Sequence, residues 1–104
     1  MRIPKGAEPQ LRGSYTVRYS QTDRNRHLHN TCYPDLLLDF LPDVEHRYQT
    51  SLSLCFRRDA PLGETFDVYC IDEGEVAYLF TRLPSGEVGV EMQVSLRPVD
   101  DLAL

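Results

Sequence analysis

The stretch Tyr19-Ser-Gln-Thr-Asp-Arg-Asn-Arg-His-Leu-His-Asn-Thr-Cys-Tyr33 joins a segment of alternating residues to an apolar segment. It contains one Asp, two Asn and two His. Polar side chains between two regular elements are held in place by those elements while the loop exposes them. The stretch is therefore the predicted functional site, and it also marks the change from strand to helix.

The residues on either side predict a strand before this stretch and a helix after it. Residues 14–20 alternate Tyr15, Val17 and Tyr19, predicted to face inward, with polar residues, which is typical of a half-buried strand. From Thr31 the apolar residues follow helical spacing, Pro34 suits the first turn, and Pro42 ends the helix. The apolar positions are Tyr33, Leu36, Leu37, Leu38, Phe40 and Leu41. A helix that is apolar over most of its circumference has to be buried against a sheet.

The rest of the chain predicts strands only. Predicted strands at 49–57, 64–71, 75–83 and 87–97 are separated by turn residues, and Val68 and Met92 lie on the apolar faces of the second and the fourth of them. The order β-α-β-β-β-β indicates an α+β fold, namely a single hot-dog domain. In this fold a curled antiparallel sheet of about five strands wraps around one long helix. One sheet edge stays open, so we expect pairing with a second copy.

Length and composition describe one ordinary domain. The 104 residues predict an N-terminal arm at 1–13, the domain at 14–99 and a tail at 100–104. The sequence shows neither an apolar run long enough for a membrane nor a secretory signal, so the predicted location is cytoplasmic. The net charge of −5 argues against a nucleic-acid binder.

The cysteines and histidines predict neither a disulfide framework nor a metal site. Cys32, Cys55 and Cys70 are odd in number and widely spaced, without a C-x-x-C pair. His46 stands alone and is interpreted as a solvated residue at a helix end. We therefore expect no metal and no cofactor.

The polar stretch resembles the C-terminal hot-dog half of the acyl-acyl-carrier-protein thioesterases. In that family a strand ending Tyr-Ser-x-x-Asp leads into Asn-x-His-x-Asn-Asn-x-x-Tyr. This chain reads Tyr19-Ser20-x-x-Asp23-x-Asn25-x-His27-x-His29-Asn30-x-x-Tyr33, followed by Phe40-Leu-Pro42 and Phe56-Arg-Arg-Asp59. The resemblance covers residues 15–97.

The chain departs from the family pattern at three positions and in length. Gln21 stands where relatives often carry Asp, His29 replaces the first Asn of the Asn pair, and Asp59 stands where Glu is usual. Members usually carry two hot-dog halves in one chain, and this chain corresponds to the second. It is therefore predicted to act as a homodimer or to pair with another hot-dog half.

The resemblance implies thioester hydrolysis by a carboxylate and a water molecule. Asp23 would be the base or nucleophile, and Asp59 an activating carboxylate. Asn25 and His27 would orient the water and the thioester oxygen, because alternate residues of an extended segment project to one side. The thiol is a good leaving group because its pKa is low, so the reaction depends little on an acid that protonates the departing thiolate.

Each of these residues also has a structural interpretation. Asp23 could cap the loop or the helix, and Asn25 could be a turn residue. His27 could be a buried, hydrogen-bonded loop histidine. Asp59 could end a strand and pair with a neighbouring arginine. A cysteine nucleophile is not expected, because Ala60 follows the acid where some relatives carry Cys.

Substrate contacts are predicted at the start of the helix. Backbone N–H groups there favour negative charge and are candidates for stabilising the oxyanion. The predicted substrate-binding residues are Leu28, His29, Asn30, Thr31 and Tyr33, of which Asn30 and Tyr33 are expected chiefly to fix the turn.

Three functional hypotheses remain open from the sequence. The first is release of a fatty acid from acyl-carrier protein, an acidic partner that would dock on Arg24, Arg26, Arg57 and Arg58. The second is hydrolysis of acyl-CoA, as in single-copy hot-dog thioesterases. The third is a non-catalytic module that binds acyl chains or serves as a dimerising half.

Overall fold

Five antiparallel strands and one α-helix make up the regular structure of the chain. The structure is a computed structural model that describes residues 3, 4 and 6–101. The strands are β1 (Gln10–Thr16), β2 (Arg47–Phe56), β3 (Thr65–Asp72), β4 (Val76–Arg82) and β5 (Val88–Pro98). The helix, α1 (Tyr33–Leu38), follows a 3₁₀ turn at Asn30–Cys32. The predicted α+β class is confirmed.

The sheet has the strand order β1-β3-β4-β5-β2, so the chain crosses it twice. Every pairing in it is antiparallel. Because β1 and β2 form its two edges, the sheet is open and not a closed barrel.

The core lies between α1 and one face of the sheet. Leu37 of the helix is fully buried, and so are Val68, Leu79 and Met92 of the three central strands. These strand residues alternate with others that point to the opposite face, as the period of a strand requires. In β3 and β5, the alternation in the sequence therefore predicted the buried face correctly.

The first strand lies earlier than predicted. It begins at Gln10, inside the predicted arm, and ends at Thr16 rather than at residue 20. The chain then makes a 3₁₀ turn at Tyr19–Gln21, which the hydroxyl of Thr22 stabilises by donating to the Tyr19 carbonyl at 2.7 Å. Tyr19, predicted to face inward, is consequently 66% exposed. Of the predicted tail, residues 102–104 lie outside the described residues.

The helix is shorter than the sequence pattern indicated. Regular α-helix ends at Leu38, and the next turn tightens through hydrogen bonds from Phe40 N to Leu37 O and from Leu41 N to Leu38 O. Pro42 has no N–H for the Leu38 carbonyl, which would be its α-helical partner. The apolar stripe nevertheless reaches the core, since Leu41 is buried.

The buried Cys70 thiol and Tyr33 phenol should make the fold less stable at alkaline pH. Burial, with a smaller contribution from Asp72, raises the pKa of the Cys70 thiol to about 11. Burial, with a contribution from Asp59, raises the pKa of the Tyr33 phenol to about 12. The folded state therefore holds both protons more tightly than the unfolded chain, whose values are 9.0 and 10.0. The free energy of unfolding should fall between pH 9 and pH 12, by roughly 2 to 3 kcal/mol for each group.

Urea unfolding at pH 8 and pH 11 would measure this loss in the wild type and in Cys70→Ala. The variant loses apolar contacts at every pH, but its free energy of unfolding should depend less on pH between 9 and 11. An identical pH dependence in both proteins would contradict the assignment to Cys70.

Candidate active site

The polar stretch forms a tight hairpin and not an extended segment. Thr22 and Leu28 are bridged, Asp23 N donates to His27 O at 3.0 Å, and Arg26 N donates to Asp23 O at 3.1 Å. Arg26 takes a left-handed conformation with φ 63°. The prediction that residues 23, 25 and 27 lie on one side of an extended segment is wrong, because the chain turns between Asp23 and His27. What groups these residues is the turn itself.

Asp23 both builds this turn and leaves one oxygen available for chemistry. Its Oδ1 accepts hydrogen bonds from Asn25 N at 2.9 Å and from His27 N at 3.2 Å. Asx side chains commonly close turns in this way. Oδ2 has no hydrogen-bond partner among the described residues, and the side chain is exposed. The loop-capping interpretation is therefore correct for Oδ1 and compatible with a catalytic role for Oδ2.

The segment after β2 runs antiparallel to the hairpin and brings a second carboxylate to it. His27 and Pro61 are bridged, Leu28 N donates to Ala60 O at 2.8 Å, and Leu62 N donates to Arg26 O at 2.7 Å. This pairing places Asp59 beside His27. The two residues are 32 positions apart in the sequence.

His27 and Asp59 form a side-chain contact, with Nδ1 and Oδ2 3.3 Å apart and the side chains 38% and 61% exposed. Because a carboxylate only accepts hydrogen bonds, Nδ1 carries the proton in this contact. In the neutral ring Nε2 is then left as an acceptor. The arrangement leaves an imidazole oriented by an acid, with its other nitrogen available to a ligand.

The alternative pairing of Asp59 with a neighbouring arginine is wrong. The Arg57 side chain binds Glu91, and Arg58 Nε lies 2.9 Å from Glu87 Oε2. Both guanidinium groups therefore have other carboxylate partners.

Asn25 lies at the tip of the turn, where its backbone N–H donates to Asp23. Its side chain is exposed and makes no hydrogen bond within the described part of the chain. The amide is therefore available to a ligand, although the structure assigns it no other contact.

The predicted substrate-binding residues divide into two groups. Leu28 and Tyr33 are 1% and 2% exposed, so their side chains belong to the core. His29 caps the 3₁₀ turn, because its Nδ1 lies 3.2 Å from Thr31 N and 2.8 Å from Thr31 Oγ1. Asn30 and Thr31 are exposed.

Most of the predicted oxyanion donors already have acceptors. The N–H groups of Leu28 and His29 donate to Ala60 O and Gln21 O, and that of Thr31 donates to His29. Within 28–31, the Asn30 N–H alone has no acceptor among the described residues. It is the backbone donor of this group that remains available to a substrate.

Tyr33 is buried beside the segment that carries Asp59. Burial and the charge of Asp59 raise the pKa of its phenol to about 12, whereas a hydrogen bond with the Ala60 backbone opposes the rise. The ring packs edge-on against Phe56, with centroids 5.7 Å apart. Tyr33 therefore positions the segment that carries Asp59 and does not reach solvent.

Gly89 is a positioning residue that the sequence did not reveal. Its carbonyl accepts from Arg57 N at 2.8 Å and from Arg58 N at 3.0 Å, immediately before Asp59. A Cβ at this position would lie 2.7 Å from Thr81 Oγ1, which accepts from Val90 N. A lone glycine in an alternating strand gave no signal for this role beyond a close backbone approach.

Gly89→Ala should therefore destabilise the chain by about 1 to 3 kcal/mol and displace the segment before Asp59. Urea unfolding measures the first effect. Gly63→Ala is a suitable comparison for bulk, since a Cβ there has open space. It adds backbone strain of its own, because Gly63 has φ 86°. Unchanged stability in Gly89→Ala would contradict the close packing at Thr81.

A group with metal-ligand spacing lies away from this site. The ligand atoms of Asp43, Glu45 and His46 fall within 4.8 Å of one another, and all three residues are exposed. Exposed acidic groups commonly lie this close without a metal, so we do not assign a metal site to these three residues.

The sequence matches the family model described as the acyl-ACP thioesterase C-terminal domain over residues 5–94. The chain belongs to this family. The family's hot-dog architecture, predicted from the strand and helix pattern, is confirmed by the open five-stranded sheet packed on one helix. No curated protein matches the sequence significantly.

Solved structures share the fold at low sequence identity. An acyl-ACP thioesterase from Bacteroides thetaiotaomicron is 16% identical with a TM-score of 0.77, covering 93% of this chain and 42% of its own. A 12:0-ACP thioesterase from Umbellularia californica is 20% identical with a TM-score of 0.74, covering 94% and 38%. A hypothetical protein from Staphylococcus aureus, in complex with CoA, is 19% identical with a TM-score of 0.74, covering 86% and 77%.

This member of the family therefore spans less than half of the two acyl-ACP thioesterases that it resembles. The matched part contains both the turn with Asp23 and His27 and the segment with Asp59. Within the described residues, no helix is long and apolar enough to span a membrane.

Proposed function

We propose that this chain hydrolyses acyl thioesters of acyl-carrier protein and releases the free fatty acid. The observation that carries the proposal is the contact of Asp59 with His27, which lies on the turn that also exposes Asp23 Oδ2. Two acids and an imidazole thus meet on adjoining segments, and they match the positions that the resemblance assigns to chemistry.

The reaction needs one base, one water molecule and one donor to the oxyanion. Asp23 Oδ2 takes a proton from the water as its oxygen bonds to the thioester carbonyl carbon. The carbonyl oxygen becomes negative and accepts a hydrogen bond from a nearby donor. The C–S bond then breaks, and the proton passes to the departing thiolate. The products are a fatty acid and a free thiol.

His27 and its neighbours supply orientation in this scheme. With Nδ1 held by Asp59, Nε2 accepts a hydrogen bond from the attacking water and fixes its direction. The exposed Asn25 amide and the Asn30 N–H are the proposed donors to the carbonyl oxygen. His29 and Thr31 shape the surface next to these donors. Leu28 and Tyr33 are buried beneath that surface and hold it in place.

The acyl-carrier-protein substrate is supported by the family description and by two of the similar structures, which are named as acyl-ACP thioesterases. Acyl-CoA is the competing substrate, since another similar protein was solved with CoA. The kcat/KM values for acyl-carrier protein and acyl-CoA, measured with the same acyl chain, decide between them. A higher value for acyl-CoA would overturn the carrier-protein assignment.

The working unit is proposed to be a pair of hot-dog domains in the cytoplasm. The edge strands β1 and β2 each have one side without a neighbouring strand among the described residues, and such edges favour pairing. The second domain is either another copy of this chain or a separate hot-dog half. Sedimentation of the purified chain tests this, and an active monomer would contradict it.

A further inference from the structure

Two arginines of the catalytic turn, Arg24 and Arg26, have no carboxylate partner. Neither lies within 4 Å of an acidic oxygen in the part of the chain that the structure describes, and both are exposed. In contrast, Arg47, Arg57 and Arg58 each bind an aspartate or glutamate. In a chain with a net charge of −5, the turn therefore presents unneutralised positive charge.

Arg26 is held in place by both its backbone and its side chain. Its N–H donates to Asp23 O and its carbonyl accepts from Leu62 N. Its guanidinium carbon lies 5.0 Å from the centre of the Tyr19 ring, a cation–π contact. This preorganisation lowers the entropic cost of binding an anion.

The two arginines line an open depression of about 360 Å³ on the turn. Its lining residues are Tyr19, Ser20, Thr22, Asp23, Arg24 and Arg26. Asp23 is the one carboxylate in the lining, and two backbone N–H groups already bind its Oδ1. Two guanidinium groups against one carboxylate leave the depression positive.

The chemistry of this depression favours a phosphate. A guanidinium presents a planar pair of N–H donors that matches two phosphate oxygens. An open polar depression excludes water poorly, so it suits a charged group better than an acyl chain. The same depression includes Asp23, which places it beside the proposed reaction centre.

We propose that Arg24 and Arg26 bind the phosphate of the pantetheine arm that carries the acyl group. This phosphate is a phosphodiester in a carrier protein and part of a diphosphate in CoA. The inference rests on the proposed function. It also revises the docking prediction, since Arg57 and Arg58 are neutralised by Glu91 and Glu87 and contribute less.

The test compares thioesters of one acyl chain on pantetheine, 4′-phosphopantetheine, CoA and carrier protein. The variant is Arg24→Ala combined with Arg26→Gly, because glycine accepts the positive φ at position 26 without strain. The KM for the three phosphate-bearing substrates should rise at least about tenfold. The kcat and the KM for acyl-pantetheine should change less than twofold. Equal changes with acyl-pantetheine, or no change at all, would overturn the proposal.

Arg82→Ala is the matched control. Arg82 is exposed and packs over the Tyr69 and Phe80 rings, outside the catalytic turn. It removes one positive charge and the double variant removes two, so a purely general electrostatic effect would raise the KM about threefold in Arg82→Ala when it raises it tenfold in the double variant. We expect the KM values of Arg82→Ala to stay within twofold of the wild type.

Direct binding separates this inference from the proposed function. Calorimetry with 4′-phosphopantetheine and with CoA should show at least tenfold weaker binding by the double variant, even if no thioester is hydrolysed. Equal affinities of wild type and variant would overturn the phosphate site. An effect confined to acyl-carrier protein would also overturn it, since the arginines would then bind the protein surface of the carrier.

Discussion

Asp23→Asn is expected to lower the kcat for thioester hydrolysis at least about a hundredfold without unfolding the turn. The asparagine keeps a carbonyl oxygen at Oδ1 that still accepts from Asn25 N and His27 N. It replaces the free Oδ2 by an amide that cannot take a proton from water. The melting temperature should therefore stay close to that of the wild type while the activity is lost.

Asp23→Ala is a second test of this residue, and Glu45→Gln is the control for the loss of one negative charge. The alanine variant loses the two turn hydrogen bonds as well, so it should also be destabilised by about 1 to 2 kcal/mol. Glu45→Gln neutralises an exposed acid far from the turn in sequence and should keep full activity. If Asp23→Asn retained more than half of the wild-type kcat, Asp23 would be only a turn residue.

His27 and Asp59 should behave as a coupled pair. His27→Ala is expected to lower kcat about a hundredfold, and Asp59→Asn about tenfold to a hundredfold, because Asp59 acts through the ring that it orients. The double variant should be no worse than His27→Ala alone, since the two residues serve one function. Asp59→Glu keeps the charge and should retain most of the activity.

A second readout for this pair is the titration of Tyr33. The charge of Asp59 is one of the causes that raise the pKa of the Tyr33 phenol, so Asp59→Asn should lower that pKa. The chain has six tyrosines, so the ultraviolet titration of each protein is compared with that of its Tyr33→Phe counterpart, and the difference follows this phenol without any substrate. Strictly additive losses of activity together with an unchanged phenol titration would contradict the placement of Asp59 against the site.

The strands and the buried face could be predicted because they depend on short-range pattern. Alternation in β3 and β5 correctly assigned the core residues Val68 and Met92. The pattern misplaced β1 because alternation at residues 17–20 continues past the point where Val17 N turns to bind Glu64 O. That hydrogen bond joins distant residues, and no local pattern encodes it.

The sequence proposes the members of the candidate site but not the geometry that groups them. Asp23 follows from residue type and position, whereas its double hydrogen bond to the turn requires the folded backbone. The His27–Asp59 contact depends on the pairing of Pro61 with His27, across a separation that the sequence alone does not bridge. The neutralisation of Arg57 and Arg58 likewise depends on strand β5 and the turn before it, which supply Glu91 and Glu87.

The most direct test of a hydrolytic role is the fate of the acyl group. The purified chain would be incubated with a radiolabelled acyl-carrier protein, and free fatty acid and intact thioester would be separated over time. We predict many fatty acids released per chain by the wild type and almost none by Asp23→Asn. Recovery of the acyl group as intact thioester, bound to the chain after long incubation, would show instead a module that binds acyl groups without cleaving them.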